Sequence, residues 1–207
     1  MNNHRDCHDD EGCSKREQIL VAAYQVFSSK GYHRATIDEI IALADTGKGT
    51  VYNYFVNKEQ LFYTLIREKS APFEQELTAL VDSDLLALEK VEAAIRLFLR
   101  FYVRHANLWR VMMHEIRAFG AQGVSNFKPA QLEKYRDNFR QTIGFLEAIL
   151  QSGVEQGVLR NCDVAKSALG LYSVIVAMAF QNMVNEDIDS TAKSIADVFL
   201  YGVAKEK

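Results

Sequence analysis

Residues 36–58 read TIDEIIALADTGKGTVYNYFVNK, and no other stretch of the chain says as much about its fold. Thr36 followed by Glu39 is the capping pattern that starts a helix. The run Asp45-Thr46-Gly47 predicts a tight turn, because Asp and Gly tolerate the backbone conformations that turns require. A second short helix is expected from about Lys48 to Phe55. Two short helices joined by a tight turn are typical of a helix-turn-helix, which places its second helix in a DNA groove.

The run Lys48-Gly49-Thr50-Val51-Tyr52, followed by Tyr54-Phe55, is a specific pattern. It resembles the DNA-binding domain of the tetracycline-repressor (TetR) family of transcriptional regulators. The other residues that carry the resemblance are Thr36, Ile40, Ala44, Asn57, Lys58, Glu59 and Leu61. The resemblance implies a three-helix N-terminal domain with a helix-turn-helix, and a C-terminal helical domain that binds a small molecule and forms a dimer. Regulators of this family are usually repressors.

The outward side of the second helix supplies the candidates for base contact. Val51 and Phe55 lie one turn apart and are expected to anchor the inward side. Lys48 can reach a guanine edge or a phosphate, and Thr50 can touch a thymine methyl group. Gly49 lets the backbone approach the DNA closely.

Phosphate contacts are implied by the resemblance to the family. It assigns them to Tyr52, Lys58 and the Thr36 hydroxyl. The backbone amides that follow Thr36 and Asn57 can also bind phosphate, since the first amides of a helix lack partners within it. The full predicted DNA-binding set is Thr36, Lys48, Gly49, Thr50, Tyr52, Asn53 and Lys58.

The turn departs from the family pattern, which has Gly, an apolar residue and then Ser or Thr. Here these positions hold Asp45, Thr46 and Gly47. Asp adopts left-handed geometry less easily than Gly. Gly47 can precede a helix but has no side chain to cap it.

The chain as a whole is predicted to be all-α. Its 207 residues are 48% hydrophobic, which suffices for a substantial core, and no long run alternates apolar and polar residues as a strand would. Helical periodicity predicts about nine helices, with Pro72 breaking or kinking one near Lys69. We expect a disordered acidic arm over 1–13, a helix-turn-helix domain over 14–60 and a helical ligand-binding and dimerisation domain over 61–207.

A net charge of −3 excludes a DNA affinity that rests on bulk charge. Affinity must come from a few placed cations, helix N-termini and groove fit.

No apolar stretch reaches the roughly 18–20 residues of a membrane span, and the N-terminus is acidic and polar, unlike a signal peptide. We therefore predict a cytoplasmic protein without membrane association, whose partners are a double-stranded DNA operator, a small-molecule effector and a second copy of the chain.

Aromatic and methionine side chains are frequent between residues 98 and 182. With the polar residues among them they can line a mainly apolar cavity, as in small-molecule sites. The alternative is an ordinary core, because aromatic residues at helical spacing are core more often than pocket. The expected effector is small, largely apolar, and aromatic or acyl. The predicted ligand-binding residues are Phe98, Tyr102, Trp109, Met113, His114, Tyr135, Phe139, Tyr172 and Gln181.

The last two predicted helices carry small residues among apolar ones, which allows helices to approach closely. Residues 168–183 are too apolar to face water. The resemblance implies that these helices pair with their symmetry mates in a four-helix interface. A two-fold dimer requires a pseudo-palindromic operator with half-sites about 34–36 Å apart or a multiple of that. The predicted dimerisation residues are Ala168, Tyr172, Ile175, Ala179, Ile195 and Phe199.

Two alternative functions remain open at this point. His4, Cys7, His8 and Cys13 in the acidic arm could make the chain a metal- or thiol-sensing regulator, although their spacing fits no closed zinc motif. A helical binding protein without operator activity is the other alternative. The sequence has no nucleophile elbow, phosphate loop or HExxH motif. We therefore predict no enzymatic activity, no catalytic residue, no resident metal and no cofactor.

Overall fold

A computed structural model of the chain describes residues 14–122, 129–181, 183–184 and 187–202. These residues form nine α-helices and include no strand, which confirms the all-α prediction. The predicted arm over 1–13 lies outside the described residues. The helices are α1 (Lys15–Arg34), α2 (Ile37–Leu43), α3 (Lys48–Tyr54), α4 (Lys58–Asp82), α5 (Ala87–Arg104), α6 (Ala106–Gln122), α7 (Pro129–Glu155), α8 (Val164–Phe180) and α9 (Ile188–Tyr201).

Helices α1 and α2 both begin with reciprocal capping boxes. The Glu17 amide donates to Ser14 Oγ at 3.2 Å, and the Ser14 amide donates to the Glu17 carboxylate at 2.8 Å. Thr36 and Glu39 form the same pair of bonds at 3.2 and 3.1 Å. Each box satisfies amides that the first helical turn leaves without partners. The start of the helix-turn-helix is therefore fixed by local sequence.

Helix α4 runs through Pro72, so of the two predicted outcomes near Lys69, a break or a kink, the break is wrong. A proline inside a helix removes one hydrogen bond and costs about 3 kcal/mol. Large apolar side chains are buried on both sides of it, with Leu65 before and Phe73 and Leu77 after. Burying each such side chain contributes about 1.5–3 kcal/mol, and together these outweigh the loss at the proline.

The chain divides into two compact units. The first takes the described residues of Met1–Ser70 and Asn107–Phe127, and the second takes those of Ala71–Ala106 and Lys128–Lys207. Helix α6 is therefore grouped mostly with the N-terminal helices, although it follows α5 in sequence. The functional boundary after residue 60 stays a prediction.

Each unit has its own apolar core. In the first, the rings of Phe27 and Phe62 meet edge to face at 4.9 Å, and Tyr32 lies 5.2 Å from Phe62. In the second, α5 packs against α7, α8 and α9, and its residues Phe98 and Leu99 are fully buried. Among the described helices, none combines the length and apolarity that crossing a bilayer demands.

Candidate nucleic-acid interface

Helices α2 and α3 both pack on α1 and on each other. Ile40 of α2 and Val51 of α3 have no exposed surface, and Phe55 directly after α3 is 2% exposed. The guanidinium of Arg16 lies 5.8 Å from the Phe55 ring centroid. The predicted anchoring by Val51 and Phe55 is confirmed. Because its inward side is fixed in this way, the opposite side of α3 has a defined orientation.

The turn between α2 and α3 is tight despite its departure from the family pattern. Asp45 adopts the left-handed conformation with φ 45°. Gly47 is extended, and its carbonyl accepts hydrogen bonds from the Thr50 and Val51 amides at 3.0 and 3.3 Å. Helix α3 has no side-chain cap, as the sequence predicts. The Asp45 side chain is compatible with this geometry because Asp populates the left-handed region more readily than most residues.

The outward side of α3 is polar and accessible. Lys48, Gly49, Tyr52 and Asn53 are exposed, and Thr50 is half-buried. A Cβ built on Gly49 would meet no described protein atom within 4 Å, so its backbone lies open to an approaching molecule. Thr36, which caps α2, is exposed as well.

Lys48 forms an ion pair with Asp38 of α2. The distance from Lys48 Nζ to Asp38 Oδ1 is 3.3 Å, and the two side chains are 65% and 77% exposed. Pairs this exposed contribute about 0–1 kcal/mol. A DNA phosphate or a guanine edge can therefore displace Asp38 at little cost.

Lys58, at the start of α4, has a very different environment. Its Nζ donates to the carbonyl oxygens of Tyr32 at 2.9 Å, Ala35 at 3.0 Å and His33 at 3.5 Å. It also lies 4.6 Å from the Tyr32 ring centroid. The ammonium thus satisfies carbonyl groups at and just beyond the last turn of α1. The predicted phosphate contact of Lys58 stays a prediction, and a phosphate there must compete with these acceptors.

Glu39 connects the α2 cap to α1. Lys30 Nζ donates to Glu39 Oε1 at 2.7 Å, while Glu39 Oε2 accepts the Thr36 amide at 3.1 Å. The hydrogen bond from Lys30 and then that from the Thr36 backbone lower the pKa of Glu39 below its ordinary value of 4.5. The Glu39 carboxylate therefore both completes the cap of α2 and pairs with Lys30 of α1.

Four of the predicted effector residues meet in the second compact unit. The hydroxyl groups of Tyr102 and Tyr172 are 2.9 Å apart, and both side chains are buried. The rings of Phe98 and Phe139 lie 6.0 and 5.3 Å from the Tyr172 ring. Burial raises the pKa of Tyr172, so this hydroxyl keeps its proton at neutral pH. The result is a polar pair inside an aromatic cluster.

The other predicted effector residues lie elsewhere. Tyr135 is buried on α7, and Gln181 is exposed directly after α8. Trp109, Met113 and His114 are on α6 and belong to the first compact unit. Their part in one effector site stays a prediction.

Most predicted dimerisation residues are buried within the protomer. Phe199 alone among them is half-buried. The fully or nearly buried ones are Ala168, Tyr172, Ile175, Ala179 and Ile195. The same two helices also carry exposed apolar side chains, which the prediction did not name. These are Leu169, Val174, Val198 and Tyr201.

The residues of the metal-sensing alternative lie outside the described part of the chain. These are His4, Cys7, His8 and Cys13. Across the residues that the structure does describe, no group of three or more His, Cys, Asp or Glu side chains is arranged to hold a metal ion.

Comparison with known proteins connects this geometry to a family. The family model described as "Bacterial regulatory proteins, tetR family" matches residues 19–64, and "Tetracyclin repressor-like, C-terminal domain" matches residues 84–203. The Bacillus subtilis transcriptional regulator YhgD is 26% identical, over 80% of this chain and 83% of its own length. The B. subtilis fatty acid metabolism regulator protein is 25% identical, over 91% of this chain and 95% of its own.

A solved structure shows the same fold. The crystal structure of B. subtilis FadR in complex with stearoyl-CoA superimposes with a TM-score of 0.76 at 24% sequence identity. The match covers 90% of this chain and 98% of that one. Helical architecture is thus shared over nearly the full length of both chains.

Proposed function

The chain belongs to the TetR family of transcriptional regulators, and we propose that it is a repressor that leaves a pseudo-palindromic operator when a small, largely apolar effector binds. Members of this family are regulators, not enzymes. The observation that carries the proposal is the fixed orientation of α3. Its inward residues Val51 and Phe55 are buried, and its outward tip is polar and exposed.

In the proposed complex, α3 enters the major groove with its N-terminal residues first. Lys48 and Thr50 contact base edges, and Asn53 lies one turn further along the same side. Tyr52 and the Thr36 hydroxyl hold phosphates on either side of the groove. Lys58 contributes by keeping the start of α4 against the end of α1.

A two-fold dimer presents two such helices to successive grooves. The exposed side of α8 supports this proposal, because Leu169 and Val174 are 47% and 48% exposed, with the small residues Gly170, Ser173 and Ala177 between and beside them. Small residues permit close helix approach, and an exposed apolar face of this kind is typical of an interface. We propose that this face pairs with its symmetry mate together with α9, and that the buried residues of both helices support it from within.

The proposed effector carries an acyl chain. The support comes from two relatives, the B. subtilis fatty acid metabolism regulator protein and the FadR structure that contains stearoyl-CoA. The aromatic cluster around Tyr102 and Tyr172 is buried and holds one polar pair, a composition that suits a long chain ending in a carbonyl group. Effector binding would favour a state whose two α3 helices no longer match successive grooves. Because its proposed partner is an operator on the chromosome, we propose that the protein acts in the cytoplasm.

Operator selection tests the proposal. Selection of duplexes from a random pool should enrich a pseudo-palindrome with half-sites about 34–36 Å apart or a multiple of that. Stearoyl-CoA should then lower the affinity for that duplex at least about tenfold, within the usual range of allosteric coupling. Tyr172→Phe should weaken this response, whereas Tyr63→Phe, a half-buried tyrosine of α4, should not.

Two outcomes would contradict different parts of the proposal. If the selection enriches no sequence, the proposal that the protein binds an operator is wrong. Enrichment without any response to acyl-CoA would leave the DNA-binding function and remove the acyl effector. Emission of Trp109, the one tryptophan of the sequence, serves as a second readout of effector binding.

A further inference from the structure

A cleft of about 330 Å³ lies within the first compact unit, and the DNA-binding proposal does not use it. One wall is the end of α1, residues 28–34, and the other is the start of α6, residues 107–114. Gly31 shapes the first wall, because its left-handed φ of 78° interrupts α1 and turns the chain. The volume is at the lower end of the range for small-molecule sites, about 300–1,000 Å³.

The cleft is lined by the arginines Arg34 of α1 and Arg110 of α6, and none of its ten lining residues is Asp or Glu. Lys30 also lines it, but its ammonium already donates to Glu39 Oε1 at 2.7 Å. His33 and His114 stand on opposite walls with their ring centroids 6.4 Å apart, edge to face. Cations of one sign gathered in a concave surface focus a positive potential, which attracts anions.

Hydrogen-bond donors accompany the charges. The Ser28 hydroxyl oxygen is buried and makes no hydrogen bond to the described residues. Arg110 is held by Asn107, to whose Oδ1 it donates at 3.2 Å. The backbone carbonyls of Tyr32 and His33, which would repel an anion, already accept hydrogen bonds from Lys58. The walls therefore present donors more than acceptors.

We propose that this cleft binds a small anion of the phosphate class, separate from the acyl effector. Arg110 and Arg34 would each offer a planar guanidinium, which suits the geometry of phosphate oxygens. The two histidines and Ser28 complete the donor set from both walls. A free phosphate ion and a phosphate group on a small metabolite share this chemistry.

Titration with inorganic phosphate tests the site on the full-length protein. Ionic strength is held constant with sodium chloride, and the ring protons of the five histidines are followed by NMR. Two of these signals, assigned with His33→Gln and His114→Gln, should shift along one saturable curve. Arg110→Gln should weaken binding about tenfold, the loss of one charged hydrogen bond. Arg160→Gln removes an exposed arginine of the other unit and should leave binding unchanged.

The two arginine variants distinguish a specific site from general charge attraction. Absence of a saturable shift, or equal affinities for wild type and Arg110→Gln, would overturn the proposal. An equal loss in Arg160→Gln would indicate general charge attraction and would also overturn it. Arg34→Gln serves as a second variant if circular dichroism shows that Arg110→Gln is unfolded. Replacing inorganic phosphate by a phosphorylated metabolite of the same charge then distinguishes the free ion from a phosphate ester.

A binding experiment with duplex DNA tests the remaining possibility, that the cleft holds a phosphate of the DNA backbone. In phosphate-free buffer, Arg110→Gln should bind duplex DNA with wild-type affinity and salt dependence. A weaker affinity with a salt slope reduced by about 0.9 would show that the cleft holds the DNA backbone. That result would overturn the small-anion site.

Discussion

The starts of α3 and α4 each carry one lysine that the sequence assigns to DNA, and the structure gives the two very different surroundings. Lys48 has an exposed partner, Asp38, at 3.3 Å. Lys58 has three carbonyl acceptors from the end of α1 and an aromatic ring beneath its ammonium. A sequence motif shows that a lysine is present. The hydrogen-bond acceptors around its ammonium determine how much it costs for that lysine to bind a DNA phosphate instead. Lys48 is available to DNA, and Lys58 already stabilises the fold.

The largest expected effect is on stability, from Lys58→Met. Losing charged hydrogen bonds to three carbonyls should reduce the free energy of unfolding by about 2 kcal/mol. Lys48→Met, at the exposed site, should change it by less than about 0.5 kcal/mol. Thermal unfolding followed by circular dichroism at one fixed protein concentration compares the two, since dimer stability depends on concentration. Equal thermal unfolding midpoints for both variants would show that Lys58 stabilises the fold no more than Lys48 does.

Next in size is the effect of Lys48→Ala on operator binding. Loss of one base or phosphate contact should cost about 1–2 kcal/mol, or roughly tenfold in affinity. If the lost contact is a phosphate, the salt slope should fall by about 0.9. Tyr52→Phe should also weaken operator binding, but by less than Lys48→Ala. Lys134→Ala, an exposed lysine of α7, is the charge-matched control, and a loss as large there would point to bulk charge rather than α3.

A smaller effect of opposite sign is expected from Asp38→Asn. Removing the carboxylate frees Lys48 and reduces repulsion of the DNA, so affinity should rise about two- to threefold, the scale of an exposed ion pair. Fluorescence anisotropy with labelled operator measures this. In the Lys48→Ala background the gain should be smaller, because the pair no longer exists. An equal gain in both backgrounds would show that Asp38 acts on DNA directly and not through Lys48.

The smallest effect concerns the pH dependence of the α2 cap. The lowered pKa of Glu39 means that its contribution to stability is present above its ordinary value of 4.5 and is lost as pH falls through the lower folded value. Wild type should therefore be more stable than Glu39→Gln at pH 7, and the difference between their melting temperatures should shrink below pH 4.5. A difference that stays constant down to about pH 3 would show that the carboxylate charge is not what stabilises the cap.

The sequence predicts the parts of the DNA-binding region that depend on near neighbours. The capping box at Thr36 involves residues three positions apart, so the pattern alone identifies it. The burial of Val51 and Phe55 follows from helical spacing. The contacts of Lys58 could not be predicted in this way, because its acceptors lie 23–26 residues earlier in the chain.

The second compact unit was harder to predict for a similar reason. Helical periodicity shows which residues turn inward, but not which neighbouring helix or partner chain they face. Ala168 and Ile175 are apolar and regularly spaced, and they are buried in the protomer rather than exposed for a partner. Pro72 shows the reverse case, where packing on both sides overrides a local helix breaker. A sequence signal that depends on tertiary context is weak until the packing is known.

The salt dependence of operator affinity, measured for wild type, Lys48→Ala and Lys58→Met, decides which of the two lysines contacts DNA. The temperature is chosen so that all three proteins remain folded. We predict weaker binding for Lys48→Ala, with a slope lower by about 0.9 if its partner is a phosphate, and an unchanged slope for Lys58→Met. Wild-type affinity and slope in Lys48→Ala, together with a reduced slope in Lys58→Met, would contradict this assignment and would place the DNA contact at the start of α4 instead of α3.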